Sequence, residues 1–562
     1  MTRKVQPPPA SPSLEQRLQE YASRPRLRLA ACVVALAGFA AQALVAARTD
    51  TPTPDEFIYV PTGYYYLRTG DLAFDSTNPP LLKMAAAAPL LAMRPKLDLD
   101  PRWRDNRTGW GAWIFGTRFM ALNQSRYLTL FFVARTVVVA IGVALGWLVF
   151  QRAAALLTPL GALATLVLYA TMPPLIAHGA VATLDMGLTA LLFAAFCALT
   201  RWTATRAVAW AAATGVLLGL AFAAKGTAVL FFPLVPVLAA ASWPGWTGDG
   251  VRRFVGGGAV MALGLWIAVL AAWGFSGFPL PAALVEGVRF QLAASSAGEF
   301  PAFLDGRWSQ TGWWYYYLVA LVLKTPMPTL VLLLAGLGVI AARRLRGPGD
   351  LWMLLPPLLL LYFLSFHYGK NYGVRYLLPA FPFLLLIAGC GVDALLRLGR
   401  GGPAVLAVLI AWQLLACVVT TPHQLAYFNE LAGGPDAARR RLLDSNLDWG
   451  QDLGRLKTYL AKRGEQRICL GYFGHVDPHV YGIDYTFPPT QPTPGRCAVS
   501  ANFLAGYPYG ITYAGERVLG VRPGMWSWYD RLHPSARIGR SIYVFDVTAT
   551  DVARLTGAPA TR

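Results

Sequence analysis

The sequence predicts a polytopic α-helical membrane protein of about eleven spans, with interfacial helices in its first outer loop and a small α/β domain outside the membrane. Three observations predict it. Hydrophobic residues make up 55% of the 562 residues and charged ones only 14%, whereas an ordinary soluble chain carries about a quarter of its residues as charges. Long apolar runs recur along the chain, most of them near the roughly 20 residues that a helix needs to cross a bilayer. The net charge of +20 is not gathered on one face. Its arginines stand in short clusters between the apolar runs, as in the cytoplasmic loops of membrane proteins. Nothing resembles the basic groove with stacking aromatics that binds nucleic acid, so nucleic acid is excluded as a partner.

Residues 1–28 are proline-rich and basic, without a small-residue cleavage site, and read as a cytoplasmic tail rather than a cleaved signal peptide. The membrane part is expected over 29–421, with spans near 29–47, 128–150, 156–173, 180–199, 208–224, 228–241, 255–275, 315–342, 351–366, 377–396 and 404–421. Arg24, Arg26 and Arg28, then Arg152, Arg201 with Arg206, Arg252 with Arg253, Arg343, Arg344 and Arg346, and Arg397 with Arg400 fall at alternate loops. All lie on one side if the N-terminus is inside. An odd number of spans then puts residues 422–562 outside, which is the periplasm if the membrane is a bacterial inner membrane.

Three outer stretches remain. In the first, 48–127, the apolar run 81–93 is too short to cross and suits an interfacial position. The second, 276–314, holds Glu286, Glu299 and Asp305 and runs into Trp313, Trp314, Tyr315, Tyr316 and Tyr317. Such aromatics usually form an interfacial belt, and the same composition suits stacking on a sugar. The third shows strand signals at 467–473, 497–503 and 541–546 and a helix near 452–462, a small α/β domain. Cys469 and Cys497 fall in this part, where an oxidising compartment permits a disulfide between them. The other cysteines, Cys32, Cys197, Cys390 and Cys417, lie in apolar segments.

Charges at a membrane need a reason. Asp55 and Glu56 follow the first span after Thr51-Pro-Thr-Pro54. Neighbouring side chains rarely converge on one reactant, so one of the pair is expected to face a site and the other to be structural. Asp185 stands near the outer end of the fourth span, after His178. Together with Asp55 it would offer two carboxylates to a divalent cation, although no specific metal-ligand spacing is present. Arg135, Lys225, Lys324, Lys370 and Arg375 recur within spans or at their outer ends. Each alone suits snorkelling to headgroups, and together they suit a lipid phosphate. Phosphate loops, dinucleotide fingerprints and nucleophile elbows are missing, and no inner domain is large enough for a nucleotide-sugar donor. A transporter would also place charges here, but the sequence shows neither broken helices nor a duplication. A scaffold displaying the outer domain is the other alternative.

The run from Asp55 through Gly63, Gly70 and Asp71, followed by Asn78-Pro-Pro-Leu-Leu-Lys83, resembles the first outer loop of bacterial relatives of the protein O-mannosyltransferases. That class includes the aminoarabinose transferases that modify lipid A. His178 to Asp185, Lys225, Gly312-Trp-Trp-Tyr-Tyr316, Lys324-Thr-Pro326, Arg375-Tyr-Leu-Leu-Pro379 and Asp444-Ser-Asn-Leu-Asp-Trp-Gly-Gln-Asp452 extend the resemblance in order along most of the chain. The resemblance implies an inverting transfer of a sugar from a polyprenyl-phosphate carrier, either metal-independent or assisted by a divalent cation. It implies Asp55 as general base, Glu56 as helper or structural partner, and Asp185 as a group that orients the acceptor or holds a cation. Arg135, Lys225, Lys324, Lys370 and Arg375 would neutralise the lipid phosphate. His178, Trp313, Trp314 and Tyr315 would contact acceptor or sugar. Relatives often place a histidine where this chain has Asn78, which weakens any metal site there. Members of the class act on protein, lipid A or polysaccharide, and the fold does not choose among them. Asn446 or Asp448 is expected to cap the helix that follows the Asp444–Asp452 run.

Overall fold

The computed structural model describes residues 14–100, 110–296, 301–344, 347–367, 371–399, 401–513 and 517–557. Glu299, Arg346, Lys370 and Arg400 lie outside them. Among the described residues, seven helices are long and apolar enough to cross a membrane: Pro25–Thr49, Gln124–Leu156, Asp185–Thr205, Gly248–Ala272, Gly349–Phe366, Val374–Leu396 and Gly401–Thr420. Two bent pairs meet the same test, and two shorter apolar helices, Val208–Ala224 and Gly226–Ala241, complete the set. Each of the eleven expected spans thus has a helical counterpart in this polytopic membrane fold.

Two of those runs are broken. Pro159–Ala170 and Pro173–Gly179 meet at 57°, and Tyr316–Lys324 and Met327–Ala342 at 117°. Prolines stand at both breaks, where they remove a backbone donor and disfavour helix at the residue before them. The expectation of unbroken helices, used above against a transporter, is therefore corrected. Pro356 and Pro357, by contrast, sit inside a continuous helix. In the first outer stretch, 81–93 forms two short helices, Leu81–Ala87 and Leu90–Met93. The former lies so close to Pro54–Thr69 that a Cβ at Gly63 would stand 2.0 Å from the Lys83 carbonyl oxygen. Only glycine fits that approach.

The chain after the last span folds around a five-stranded mixed sheet in the order Asp484–Thr486, Arg467–Gly471, Gly495–Ser500, Ile542–Val547 and Ala536–Ile538. The first three strands run parallel and the rest pair antiparallel. Cys469 and Cys497 face each other across two parallel strands and are joined by a disulfide. The α-helix Leu453–Lys462 precedes the sheet. Neither Asn446 nor Asp448 caps it: its first turn follows Asp452, and Asn446 is committed elsewhere, as described below.

This C-terminal domain is tied to both long loops that precede it, 48–127 and 276–314. Thr51 N–H donates to the Gln451 carbonyl at 2.9 Å, and Arg455 pairs with Asp50 at 2.7 Å. The hairpin of Ala302–Leu304 and Arg307–Ser309 carries Phe303 and Trp308 into the outer domain's apolar cluster, and Trp308 Nε1 donates to Ala505 O at 2.9 Å.

Candidate active site at the outer helix ends

Pro54 starts the Pro54–Thr69 helix, and Asp55 and Glu56 occupy its first turn. Successive helical positions diverge by about 100°, since a turn takes 3.6 residues. The two carboxylates accordingly meet different partners. Glu56 turns inward and is fully buried. Its Oε2 closes a capping box by accepting from Thr53 N at 2.9 Å, and its two oxygens take Arg135 Nε and Nη2 at 2.7 Å each. Ala182 N–H adds a further bond at 2.8 Å. Arg135 spends its remaining donors on the carbonyls of Ala47, Asp50 and Thr51. All five of its N–H groups are then engaged, leaving nothing for a phosphate. Its expected phosphate-binding role is corrected: Arg135 and Glu56 clamp the first span, the first outer helix and the turn before Asp185.

Asp55 turns the other way and pairs with Arg375 through Oδ2. Its side chain is 24% exposed, and its Oδ1 has no partner among the described residues. Arg375 also reaches Asp185 at 3.9 Å, and Lys225 Nζ donates to Asp185 Oδ1 at 2.5 Å. The sequence places these four groups by ending helices. Asp185 opens Asp185–Thr205, where a carboxylate complements the helix dipole. Lys225 is the extended residue that closes Val208–Ala224. Arg375 stands in a short 3₁₀ helix, Val374–Ala380, behind Gly373. At φ +101°, Gly373 brings its backbone so near Ser445 that a Cβ would lie 2.6 Å from Oγ.

The Asp444–Asp452 run forms the other wall of this cluster. Asn446 Oδ1 accepts from Val374 N at 3.0 Å, its Nδ2 donates to Tyr316 OH at 3.0 Å, and Ser445 Oγ donates to Tyr372 O. Trp449 lies with its ring 4.5 Å from the Arg375 guanidinium and 6.0 Å from His178. Asp444, at φ +56°, sits beside Arg375 and Asp55. Burial pushes its carboxyl up to about 6, with Arg375 opposing and Asp55 adding. Asp444 and Trp449 were not named as candidate site residues. The signal for them was the run's part in the resemblance, which was set aside when the run was read as a helix entry.

Other expectations fare differently. His178 is buried against Trp449, and its Nδ1 has no partner among the described residues. Lys324 is buried and donates to Leu425 O at 2.8 Å and Asn446 O at 2.5 Å, with Phe428 4.4 Å from its ammonium. Two of its three N–H donors thus anchor the post-membrane segment. Trp313 N–H donates to Asn371 Oδ1 at 2.9 Å. Trp314 stacks on Phe366 at 5.9 Å and meets Tyr315 edge-on, and both rings are exposed. Among the described residues no hydrogen bond or ion pair joins these three to the charged cluster. Lys370 lies outside the described residues. As for a metal, both carboxylates already carry a side-chain cation. No group of three or more His, Cys, Asp or Glu fit to hold one occurs among the described residues. An Asp55–Asp185 metal pair does not fit this arrangement.

A small pocket of about 10 Å³ is lined by Asp185, Lys225, Arg375 and Tyr376 on one side and by Leu188, Leu230, Phe231, Leu360 and Leu364 on the other, so the charged cluster borders an apolar surface.

No family model matches this chain, and no curated protein sequence matches it. Among solved structures, it is similar to ArnT from Cupriavidus metallidurans bound to undecaprenyl phosphate, at a TM-score of 0.49 and 14% identity, over 95% of this chain and 99% of that one. The apo form of ArnT gives a TM-score of 0.46 at 14% identity, over 93% and 98%. The Archaeoglobus fulgidus oligosaccharyltransferase in its apo form gives 0.39 at 13% identity, over 71% of this chain and 55% of that one. These overlaps are loose, and the reading below rests on the chain's own residues.

Proposed function

We propose that this chain is a glycosyltransferase that moves a sugar from a polyprenyl-phosphate carrier to an acceptor hydroxyl of a protein, lipid or glycan. It works on the periplasmic face of an inner membrane, with its N-terminus inside and residues 422–562 outside. The observation that carries the reading is the Asp55–Arg375–Asp185–Lys225 cluster, three members of which, Arg375, Asp185 and Lys225, border a small pocket with an apolar far wall.

In this reading the acceptor oxygen attacks C1 of the sugar on the face opposite the phosphate. The C1–O bond to phosphate breaks, the bonding pair leaves with the phosphate, and C1 inverts. Asp55 takes the acceptor proton on its open Oδ1, a general base positioned at the reacting group. Arg375 and Lys225 face the leaving phosphate, whose charge grows as the bond breaks. Asp185 holds both cations on the donor side. His178 and Trp449 close the cluster from above, and Glu56 with Arg135 fixes the helix from which Asp55 projects.

Purified protein in vesicles, given a polyprenyl-phosphate sugar and a hydroxyl acceptor, tests this. Release of free polyprenyl phosphate that disappears in Asp55→Asn is the expected result, and undiminished transfer in that variant removes Asp55 as base. The two bent helix pairs favour a second reading, a flippase for lipid-linked sugars, because broken helices are a feature of transporters. Lipid movement across the bilayer without sugar transfer would establish that reading instead.

A further inference from the structure

A second cavity, of about 250 Å³, lies between the outer end of the last span and the domain that follows it. It is lined by Val419 and Thr420 of that span, by Tyr427, Phe428 and Glu430 of the connecting segment, and by Arg540 of the outer domain. Its volume far exceeds the roughly 30 Å³ share of one water. The Asp444–Asp452 run separates it from the charged cluster: Leu447 faces this cavity while Trp449 covers Arg375.

Four features define what fits there. Leu415, Val418 and Val419 of the span are more than 60% exposed, so the apolar wall continues onto a surface that faces lipid. The Tyr427 ring is buried, yet its hydroxyl has no hydrogen-bond partner among the described residues. A buried, unsatisfied hydroxyl is costly unless a ligand supplies its partner. Glu430 is held at the level of the span by Trp412 Nε1, which donates to its Oε1 at 2.8 Å, while its Oε2 has no partner among the described residues. Arg540 is fixed on the opposite wall through its backbone N–H, which donates to Asp452 Oδ2 at 2.8 Å. Glu430, Arg540 and Tyr427, whose hydroxyl has no partner among the described residues, thus line one cavity, and its apolar wall opens to the bilayer.

We infer that this cavity binds one zwitterionic aminophospholipid, its ammonium on Glu430, its phosphodiester on Arg540 and Tyr427 OH, and its acyl chains along the outer end of the last span. A primary ammonium donates hydrogen bonds to a carboxylate, and a phosphate accepts from guanidinium and phenol. A purely anionic headgroup would set its charge against Glu430. A trimethylated amine has no N–H to give. The bound lipid seats the outer domain on the membrane beside the segment that carries Asp444 and Trp449. The inference does not depend on the transferase reading.

The full-length protein, reconstituted in nanodiscs of equal parts phosphatidylethanolamine, phosphatidylcholine and phosphatidylglycerol, tests it by native mass spectrometry after release into detergent. The expected result is one retained phosphatidylethanolamine per chain, favoured about tenfold over either competitor. Glu430→Gln should abolish that preference while phosphatidylglycerol retention rises, and Arg540→Gln should lower retention of all three lipids. Glu430 is exposed at the cavity rim, so its variant is expected to keep the fold, checked by an unchanged thermal transition. Equal retention of the three lipids by the wild-type protein, or an unchanged preference in a folded Glu430→Gln, overturns the inference.

Discussion

Two carboxylates adjacent in sequence each face an arginine, and the two pairs are built for opposite ends. Glu56 and Arg135 are both buried, every Arg135 donor is engaged, and the bonds are protein to protein. Asp55 and Arg375 meet beside a small pocket that Arg375 lines; Asp55 is partly exposed and keeps one oxygen open, and Arg375 is held partly by the ring of Trp449. The difference shows that a saturated pair can only hold, whereas an unsaturated pair can exchange partners with a substrate. Burial and charge alone do not separate the two, because all four groups are charged and at least largely covered. Counting donors and acceptors does.

The largest expected effect breaks the comparison on its open side. Asp55→Asn keeps the shape and removes the proton acceptor. It should lower the rate of polyprenyl phosphate release by about 10²–10⁴-fold, the usual worth of a general base, while the thermal transition stays within a few degrees. The saturated side should show the reverse. Glu56→Ala leaves Arg135 buried without its carboxylate, a loss of about 3–5 kcal/mol. The measurable result is a collapse in the yield of folded protein in detergent. A Glu56→Ala protein with wild-type stability and abolished transfer would overturn the division of roles.

The membrane part of the fold was legible because a bilayer imposes a length and an apolar composition that each run displays on its own. The breaks at Pro173 and Pro326 were less so, since Pro356 and Pro357 are tolerated within a helix that stays continuous. Of the candidate cluster, the sequence singled out Asp55, Asp185, Lys225 and Arg375, because charges at span ends are few. It did not find the partners of Arg135 and Lys324, for one physical reason. A lone cation in an apolar run shows its cost but not the acceptors that offset it. Those acceptors lie between 79 and 122 residues away, at Glu56 for Arg135 and at the Leu425 and Asn446 carbonyls for Lys324. Asn446 was expected to cap a helix, yet its amide is spent on Val374 and Tyr316. Polar residues in an apparent capping position serve whichever backbone group the tertiary fold brings near.

A third prediction concerns the wall behind the open pair. Burial pushes the Asp448 carboxyl up to about 8, although the N–H groups of Asn502 and Gly450 donate to it. A carboxyl whose folded value is raised binds its proton more tightly in the folded state. Its contribution is therefore complete below the unfolded value near 4 and is lost as pH rises towards 8. Each pH unit in that window costs at most about 1.4 kcal/mol. The transition temperature should fall from pH 5 to pH 8 in the wild type and less steeply in Asp448→Asn; parallel slopes would show that Asp448 is ionised throughout.

The smallest expected effect sharpens the comparison by touching what holds Arg375. A ring on one face of a guanidinium attracts the cation without using its N–H groups, whereas the Arg135 clamp uses all of them. Trp449 thus steadies Arg375 while leaving its donors available to a phosphate. Replacing the ring with leucine keeps an apolar cover but removes the attraction, worth about 0.5–2 kcal/mol, or roughly 2–30-fold in an equilibrium. Trp449→Leu should raise KM for the lipid donor by a factor in that range with kcat nearly unchanged, because Asp55 and its open oxygen stay in place. A fall in kcat at constant KM would mean that Trp449 positions Asp55 through the ion pair instead of presenting Arg375 to the carrier. The open pair would then be coupled as tightly as the closed one.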